Sequence, residues 1–268
     1  MTHWKDNLPL LEKLFDHQRV GLITDMDGTV SPIVPVPSDA APTERNRELL
    51  RELHGKLALV AVVSGRAAAD VRERVDLPEL TYAGNHGLER WEDGGVQLAP
   101  QAKPYRPNLE KAIQAIEAIA PDGMWVEDKQ ATISVHYRDT ANPAETVTEF
   151  EPKFSKIVED HDLRLFQGRM IFELRPPLDV DKGTIFEQLI NEHNLDAAIY
   201  IGDDTTDADA LKKAQQLRKD GSFYALAIGV ASDETPPIVI AHSDVMVSGV
   251  SDVESLLAWI SEKSSSAS

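Results

Sequence analysis

Apolar stretches of strand length recur along this chain, and several stop abruptly at acids, hydroxyls or glycines. Val20-Gly21-Leu22-Ile23-Thr24 runs into Asp25-Met26-Asp27-Gly28-Thr29-Val30, the unbroken run Leu57 to Val63 ends at Ser64-Gly65-Arg66, and Ala197 to Ile201 ends at Gly202-Asp203-Asp204-Thr205-Thr206-Asp207. Continuous apolar runs of this length predict parallel strands covered on both faces. Between them, helices are predicted over 43–54, where Pro42 marks the break and Thr43 is an N-cap, and over 67–75, 182–193, 207–217 and 253–262. Further strands are predicted at 80–83 and 223–230, with a short amphipathic helix at 8–17 ahead of the first strand. Strands alternating with helices give an α/β fold with a doubly wound, mostly parallel, Rossmann-like core sheet.

The middle of the chain has a different rhythm. A helix over 108–120 with strands at 124–128 and 131–137 is followed by a helix over 143–160 with strands at 163–167 and 170–174, and hairpins are predicted at Asp128-Lys129-Gln130 and Gln167-Gly168-Arg169. Proline-rich stretches, Pro100 to Pro107 and Arg175-Pro176-Pro177, bound this part as linkers do. The expected organisation is a core formed by residues 1–104 and 177–268, with an α+β domain, 105–176, inserted between its halves. The Ser-rich tail from Lys263 to Ser268 is expected to be disordered.

Composition narrows the possible partners. The 27 Lys and Arg against 45 Asp and Glu leave a net charge of −18, which disfavours nucleic acid and anionic membranes because both call for a basic surface. No cysteine is present, so disulfides and thiolate zinc sites are ruled out. The first residues have neither a basic leader nor a continuous apolar segment, and no run approaches membrane-spanning length, so the expectation is a soluble, cytoplasmic monomer.

Two carboxylates two residues apart at the end of a buried strand repel each other unless a cation or a shared proton relieves them, so Asp25 and Asp27 imply Mg²⁺ or acid–base work. Asp-Gly is also a common turn dipeptide, and the partners decide between the two readings. Ser64 offers a hydroxyl and backbone N–H groups at a helix start. Lys182, at a helix N-terminus, opposes the helix dipole unless a negative group compensates. Asp203, Asp204 and Asp207 end a second acid-tipped strand.

In this order, Asp25-Met26-Asp27-Gly28-Thr29, Ser64, Lys182 and Gly202-Asp203-Asp204 with Asp207 resemble the four motifs of the haloacid dehalogenase superfamily of phosphatases, and the inserted part resembles that family's α+β cap. Gly84-Asn85-His86-Gly87-Leu88-Glu89, Ser134-Val135-His136-Tyr137-Arg138, Glu173-Leu174-Arg175-Pro176 and the segment Gly202 to Asp207 are similar to signatures of the trehalose-6-phosphate phosphatase family. The resemblance implies that Asp25 is a nucleophile forming an aspartyl-phosphate and that Asp27 is the acid and base. It also implies that Mg²⁺ binds the Asp25 carboxylate, the Asp27 backbone carbonyl and Asp203, and that Ser64 and Lys182 hold the phosphoryl oxygens. Asp204 and Asp207 would orient the metal waters and the lysine.

The resemblance further implies that a small-molecule sugar phosphate is the ligand. Gly65, Arg66, Asn85, His86 and Glu89 from the core, and Lys129, His136, Arg138, Arg169 and Glu173 from the cap, are its candidate contacts. Two positions depart from the family pattern: Arg169 stands where a lysine is common, and Ala208 where an acid is common. The leading expectation is Mg²⁺-dependent hydrolysis of trehalose 6-phosphate. The alternatives are a phosphatase for a glucosyl- or mannosyl-glycerate phosphate, a phosphoacceptor signalling domain, and a non-catalytic sugar-phosphate sensor.

Overall fold

The computed structural model describes residues 2–168 and 170–266. The chain forms two compact units, Met1–Val96 with Val180–Ser268, and Gln97–Asp179. In the first, α1 (Leu8–Glu12) continues as a 3₁₀ turn, Lys13–Asp16, where a single helix to residue 17 was predicted. There follow β1 (Val20–Thr24), α2 (Glu44–His54), β2 (Leu59–Val63), α3 (Ala68–Val75) and β3 (Thr81–Gly84). Thr43 caps α2 as predicted, its hydroxyl accepting from the Asn46 N–H.

Next comes a hairpin that the hydrophobic pattern did not predict, β4 (Glu89–Glu92) and β5 (Gly95–Leu98). Its turn, Asp93-Gly94, has positive φ at both residues (51° and 80°), the conformation that an Asp-Gly pair adopts most readily between strands.

The second unit contains α4 (Arg106–Glu117), β6 (Trp125–Asp128), β7 (Ile133–His136), α5 (Pro143–Asp160), β8 (Arg164–Gly168) and β9 (Ile171–Arg175). Its antiparallel sheet has the order β6-β7-β9-β8. Period-two alternation turns Ile133, Val135, Phe172 and Leu174 into a core shared with Leu109, Ala112 and Phe154 of the helices.

The chain then returns to the first unit with α6 (Lys182–Glu192), β10 (Ala197–Gly202), α7 (Ala208–Lys219), β11 (Tyr224–Ala231), α8 (Pro237–Ala241), β12 (Val245–Ser248) and α9 (Val250–Ser266). The helix α9 corrects the expectation of a disordered tail as far as Ser266, because Ile260 and Ser264 on its inner face are buried. Residues 267–268 lie outside the described residues. Among the described residues, no helix is long and apolar enough to cross a membrane.

The large sheet has the order β12-β11-β10-β1-β2-β3-β4-β5, parallel from β12 to β3. All residues of β1, β2 and β10 are buried, and alternation divides them between two layers. Leu22, Val60, Val62, Ile199 and Ile201 join one core, while Ile23, Ala61, Val63, Ala198 and Tyr200 join the other. From β1 the chain winds one way through β2 and β3 and later the opposite way through β10, β11 and β12. The strand order therefore reverses at β1, where open α/β sheets place their ligands.

Ile199 is fully buried at this reversal. Ile199→Ala is expected to lower the unfolding free energy by about 2–5 kcal/mol, measured as an earlier urea midpoint with an unchanged m value.

Candidate active site

Strand register assembles the site. Thr24 pairs with Ile201, and the Asp25 N–H extends the ladder to the Ile201 carbonyl at 2.9 Å, so Asp25 leaves the sheet beside Gly202 and Asp203. On the other flank β2 ends at Val63, and the Ser64 N–H reaches the Ala83 carbonyl at 3.0 Å. The turn after β1 requires Gly28: its φ is +79°, and a Cβ there would lie 2.1 Å from an Asp203 carboxylate oxygen. Glycine is thus what allows the two acid-tipped loops to approach each other.

At the centre the Lys182 ammonium lies 2.7 Å from Asp25 Oδ1 and 2.7 Å from Asp207 Oδ1, and all three side chains are buried. Lys182 is the first residue of α6, whose N-cap Asp181 exchanges hydrogen bonds with Thr184 in a capping box. The misfit of a lysine at that helix end is compensated by the two carboxylates.

Asp207 accepts four hydrogen bonds: at Oδ1 from Lys182 and the Tyr200 hydroxyl (2.6 Å), and at Oδ2 from the Asp203 and Asp204 N–H groups (3.2 and 3.0 Å). That number fills a carboxylate's acceptor positions. Tyr200 was not among the predicted site residues because it lies inside an apolar run, where an aromatic reads as core.

One carboxylate oxygen each from Asp25, Asp203 and Asp207 lies within 4.8 Å of the others. Three carboxylates face one ammonium. Burial foremost, then Asp207, pushes the Asp203 carboxyl up to about 7, although Lys182 pulls the other way. Asp25 is also raised by burial, against the pull of Lys182. Burial alone would lower Lys182, but Asp207 and Asp25 outweigh it and hold the ammonium protonated. This donor set fits a hard divalent cation. With Asp207 fully engaged, Asp25 and Asp203 are the carboxylates positioned to meet it, and the Thr29 hydroxyl steadies Asp203 at 3.4 Å.

Asp27 does not belong to this group. Both of its oxygens face Arg66, Oδ2 at 2.6 Å from Nε and Oδ1 at 3.0 Å from Nη2. Ser64 is buried, and its hydroxyl accepts from the Arg66 N–H at 3.2 Å. Gly65 lies under the His86 ring, where a Cβ would be 2.7 Å from Cε1. Asn85, His86 and Gly87 all have positive φ, and the Asn85 and His86 N–H groups bond back to the Arg66 and Ser64 carbonyls, so this loop is tied to the end of β2. Glu89 is buried and its Oε1 accepts from the Ala68 N–H at 2.5 Å, a cap on α3 that accounts for that oxygen without a ligand. Asp204 is exposed and opens the 3₁₀ turn Thr205–Asp207.

The candidates of the second unit lie on or beside its small sheet. Ser134 and His136 alternate with the core residues Ile133, Val135 and Tyr137, so they occupy the face opposite that core. His136 stacks on Trp125 (3.8 Å, 3°) and its Nε2 lies 2.8 Å from Glu127. Glu173 is buried, with Arg175 at 2.5 Å and Lys129 at 3.8 Å. Arg138 is exposed. Arg169 lies outside the described residues.

Comparison with known proteins agrees with this architecture. The sequence model of the trehalose-phosphatase family matches residues 23–236. The chain is 29% identical over 262 residues to trehalose-phosphate phosphatase B of Arabidopsis thaliana, covering 87% of this chain and 67% of that protein. It is 36% identical over 201 residues to the trehalose-phosphate phosphatase of Mycobacterium marinum, covering 72% and 50%. The chain therefore spans between half and about two-thirds of the curated relatives' length. Among solved structures, the C-terminal domain of the Candida albicans trehalose-6-phosphate phosphatase superposes with a TM-score of 0.74 at 20% identity, covering 96% of this chain and 97% of that one. A haloacid dehalogenase-like hydrolase from Bacteroides thetaiotaomicron superposes with a TM-score of 0.64 at 14% identity, covering 91% and 100%. At such identities these two establish the fold.

The raised Asp203 carboxyl gives the site a pH signature. A carboxyl near 7 when folded and near 4 when unfolded contributes stability that is fully present below about pH 4 and lost as pH rises through about 7. The shift corresponds to a contribution on the order of 4 kcal/mol. A divalent cation on the ionised group offsets that loss, so Mg²⁺ is expected to raise Tm by several degrees near pH 8 and by much less near pH 5, with Asp203→Asn abolishing the difference. Equal stabilisation at both pH values would contradict the assignment.

Proposed function

Because the chain belongs to the trehalose-phosphatase family, we propose that it is a phosphatase that hydrolyses a sugar phosphate monoester, trehalose 6-phosphate foremost, with Mg²⁺ and through a phosphorylated Asp25. The observation that carries this reading is the buried contact of Asp25 with Lys182. The lysine takes Oδ1, and no hydrogen bond among the described residues engages Oδ2, the oxygen left to attack phosphorus.

Oδ2 of Asp25 forms a bond to phosphorus while the bond from phosphorus to the sugar oxygen breaks, and protonated Asp27 gives its proton to that oxygen. Asp27, now a carboxylate, takes a proton from water as the water oxygen attacks phosphorus. The bond to Asp25 then breaks and phosphate leaves. Lys182 and the Ser64 hydroxyl hold the phosphoryl oxygens, and Asp207 with Tyr200 keeps Lys182 in register. Asp25, Asp203 and the Asp27 backbone carbonyl would hold Mg²⁺, which when bound would supply the positive charge that offsets the repulsion between the phosphate and the attacking carboxylate.

The second unit is read as the cap that sets substrate specificity, with Lys129, His136, Arg138, Arg169 and Glu173 as the groups that select the sugar. Glucosyl- and mannosyl-glycerate phosphates remain the competing substrates, because the same core chemistry would serve them.

A phosphate-release screen over these sugar phosphates, with and without Mg²⁺, is expected to give Mg²⁺-dependent turnover with the highest kcat/KM on trehalose 6-phosphate. A tenfold preference for a glycerate glycoside would replace the sugar assignment. Asp25→Asn is expected to lower kcat by at least about a thousandfold with an unchanged far-ultraviolet spectrum, and turnover near the wild-type rate would overturn the nucleophile.

A further inference from the structure

Arg66 follows the Ser64-Gly65 turn, where a guanidinium could meet an anionic substrate, yet its donors are committed within the protein. Nε and Nη2 take the two oxygens of Asp27, Nη2 also donates to the Pro37 carbonyl (3.1 Å), and Nη1 donates to Asp70 (3.1 Å). Four of the five N–H groups of a guanidinium are thereby used. Asp70 is in turn held by Arg74, whose Nε lies 2.8 Å and Nη2 2.7 Å from its oxygens. Arg74 Nη1 reaches the Ser38 and Ala40 carbonyls at 2.6 and 3.2 Å. Residues 66, 70 and 74 are four apart along α3 and its approach, so they share one side of that helix.

We propose that Arg66 is a positioning residue for Asp27 rather than a ligand of the substrate: with Asp70 and Arg74 behind it, it latches the acid–base carboxylate and ties it to the Pro37–Ala40 segment. This rests on the acid–base role read for Asp27 above. A side-by-side fork fixes both carboxylate oxygens, and so fixes the plane and the torsion of the side chain, which a single contact leaves loose. The fork therefore fixes where the Asp27 carboxyl group sits relative to the leaving-group oxygen, and Asp70 with Arg74 holds Arg66 in place. The segment that begins at Asp27 returns to the same arginines at Pro37, Ser38 and Ala40, so the fork and this segment are braced by one set of side chains.

Two substrates separate positioning from binding. An alkyl ester such as trehalose 6-phosphate expels a poor leaving group that needs the proton, whereas p-nitrophenyl phosphate expels a phenolate that does not, and both carry the same phosphoryl group. Arg66→Gln is expected to lower kcat/KM for trehalose 6-phosphate about 10- to 100-fold, and for p-nitrophenyl phosphate less than about threefold. Arg66→Lys, which keeps the charge without the fork, should fall between wild type and Arg66→Gln, and Asp70→Asn, which does not touch Asp27, should show the same selective loss to a smaller extent.

Equal losses on both esters in Arg66→Gln would identify a phosphate ligand or a purely structural residue and would overturn the latch. Asp27→Asn measured alongside should show a larger selective loss, about 10²- to 10⁴-fold. If it shows none, the acid–base reading fails and the latch with it; if it shows one while Arg66→Gln does not, the latch alone fails.

Discussion

The contact between one ammonium and two carboxylates, Lys182 with Asp25 and Asp207, is the constraint around which the rest of the site is arranged. It joins the end of β1, the first residue of α6 and the loop after β10. A charge in such a position is costly to bury unless it is matched, and a partner removed from a matched set leaves an uncompensated charge behind. Asp207 is satisfied on all sides by Lys182, Tyr200 and two backbone N–H groups, so it works as a fixed anchor. Lys182, held against that anchor, fixes one oxygen of Asp25. What the protein cannot satisfy internally is the surplus of negative charge on Asp25 and Asp203, and burial makes that surplus acute enough to lift both carboxyls. A cation and a phosphoryl group are chemically what such a surplus and such a lysine call for.

The second carboxylate of the first motif is kept out of this cluster by a different force. Asp25 and Asp27 are two residues apart, yet one is buried against an ammonium and the other lies in the fork of a guanidinium. Two environments so different are what one expects when adjacent acids perform unequal tasks. The turn at Gly28 permits the separation by bringing the Asp203 loop against the backbone, where no side chain would fit.

Much of this was legible in the sequence, because the pattern of burial decides it. The runs at 20–24, 57–63 and 197–201 become central strands, and their polar endings meet because parallel strands in register end on the same side. The hairpin β4–β5 escaped detection because Glu89 to Leu98 has no apolar run, although Asp93-Gly94 marked its turn. Helix α9 exceeded its predicted length because the serines after Glu262 lie partly on a buried helical face, where composition is a poor guide. At the site, the identity of the acids, the hydroxyl and the lysine could be read from their spacing, but their partners could not. Tyr200 reads as core until its hydroxyl is seen on Asp207, and the pairing of Arg66 with Asp27 spans 39 residues and depends on how α3 is placed. Similarly, nothing in the sequence around Glu89 announces that its Oε1 accepts from the Ala68 N–H.

The central claim is that this network makes Asp25 a nucleophile. Its most direct test is to mix the Asp27→Asn variant, in which hydrolysis of an acyl phosphate should be slow, with p-nitrophenyl phosphate and Mg²⁺. The reaction is quenched in acid and the covalently bound phosphate is mapped by peptide mass spectrometry. The account predicts phosphate on the peptide carrying Asp25, appearing with the burst of nitrophenol and absent when Asp25 is also replaced by Asn. Release of nitrophenol and phosphate together, with no phosphate on Asp25 at any quench time, would contradict it.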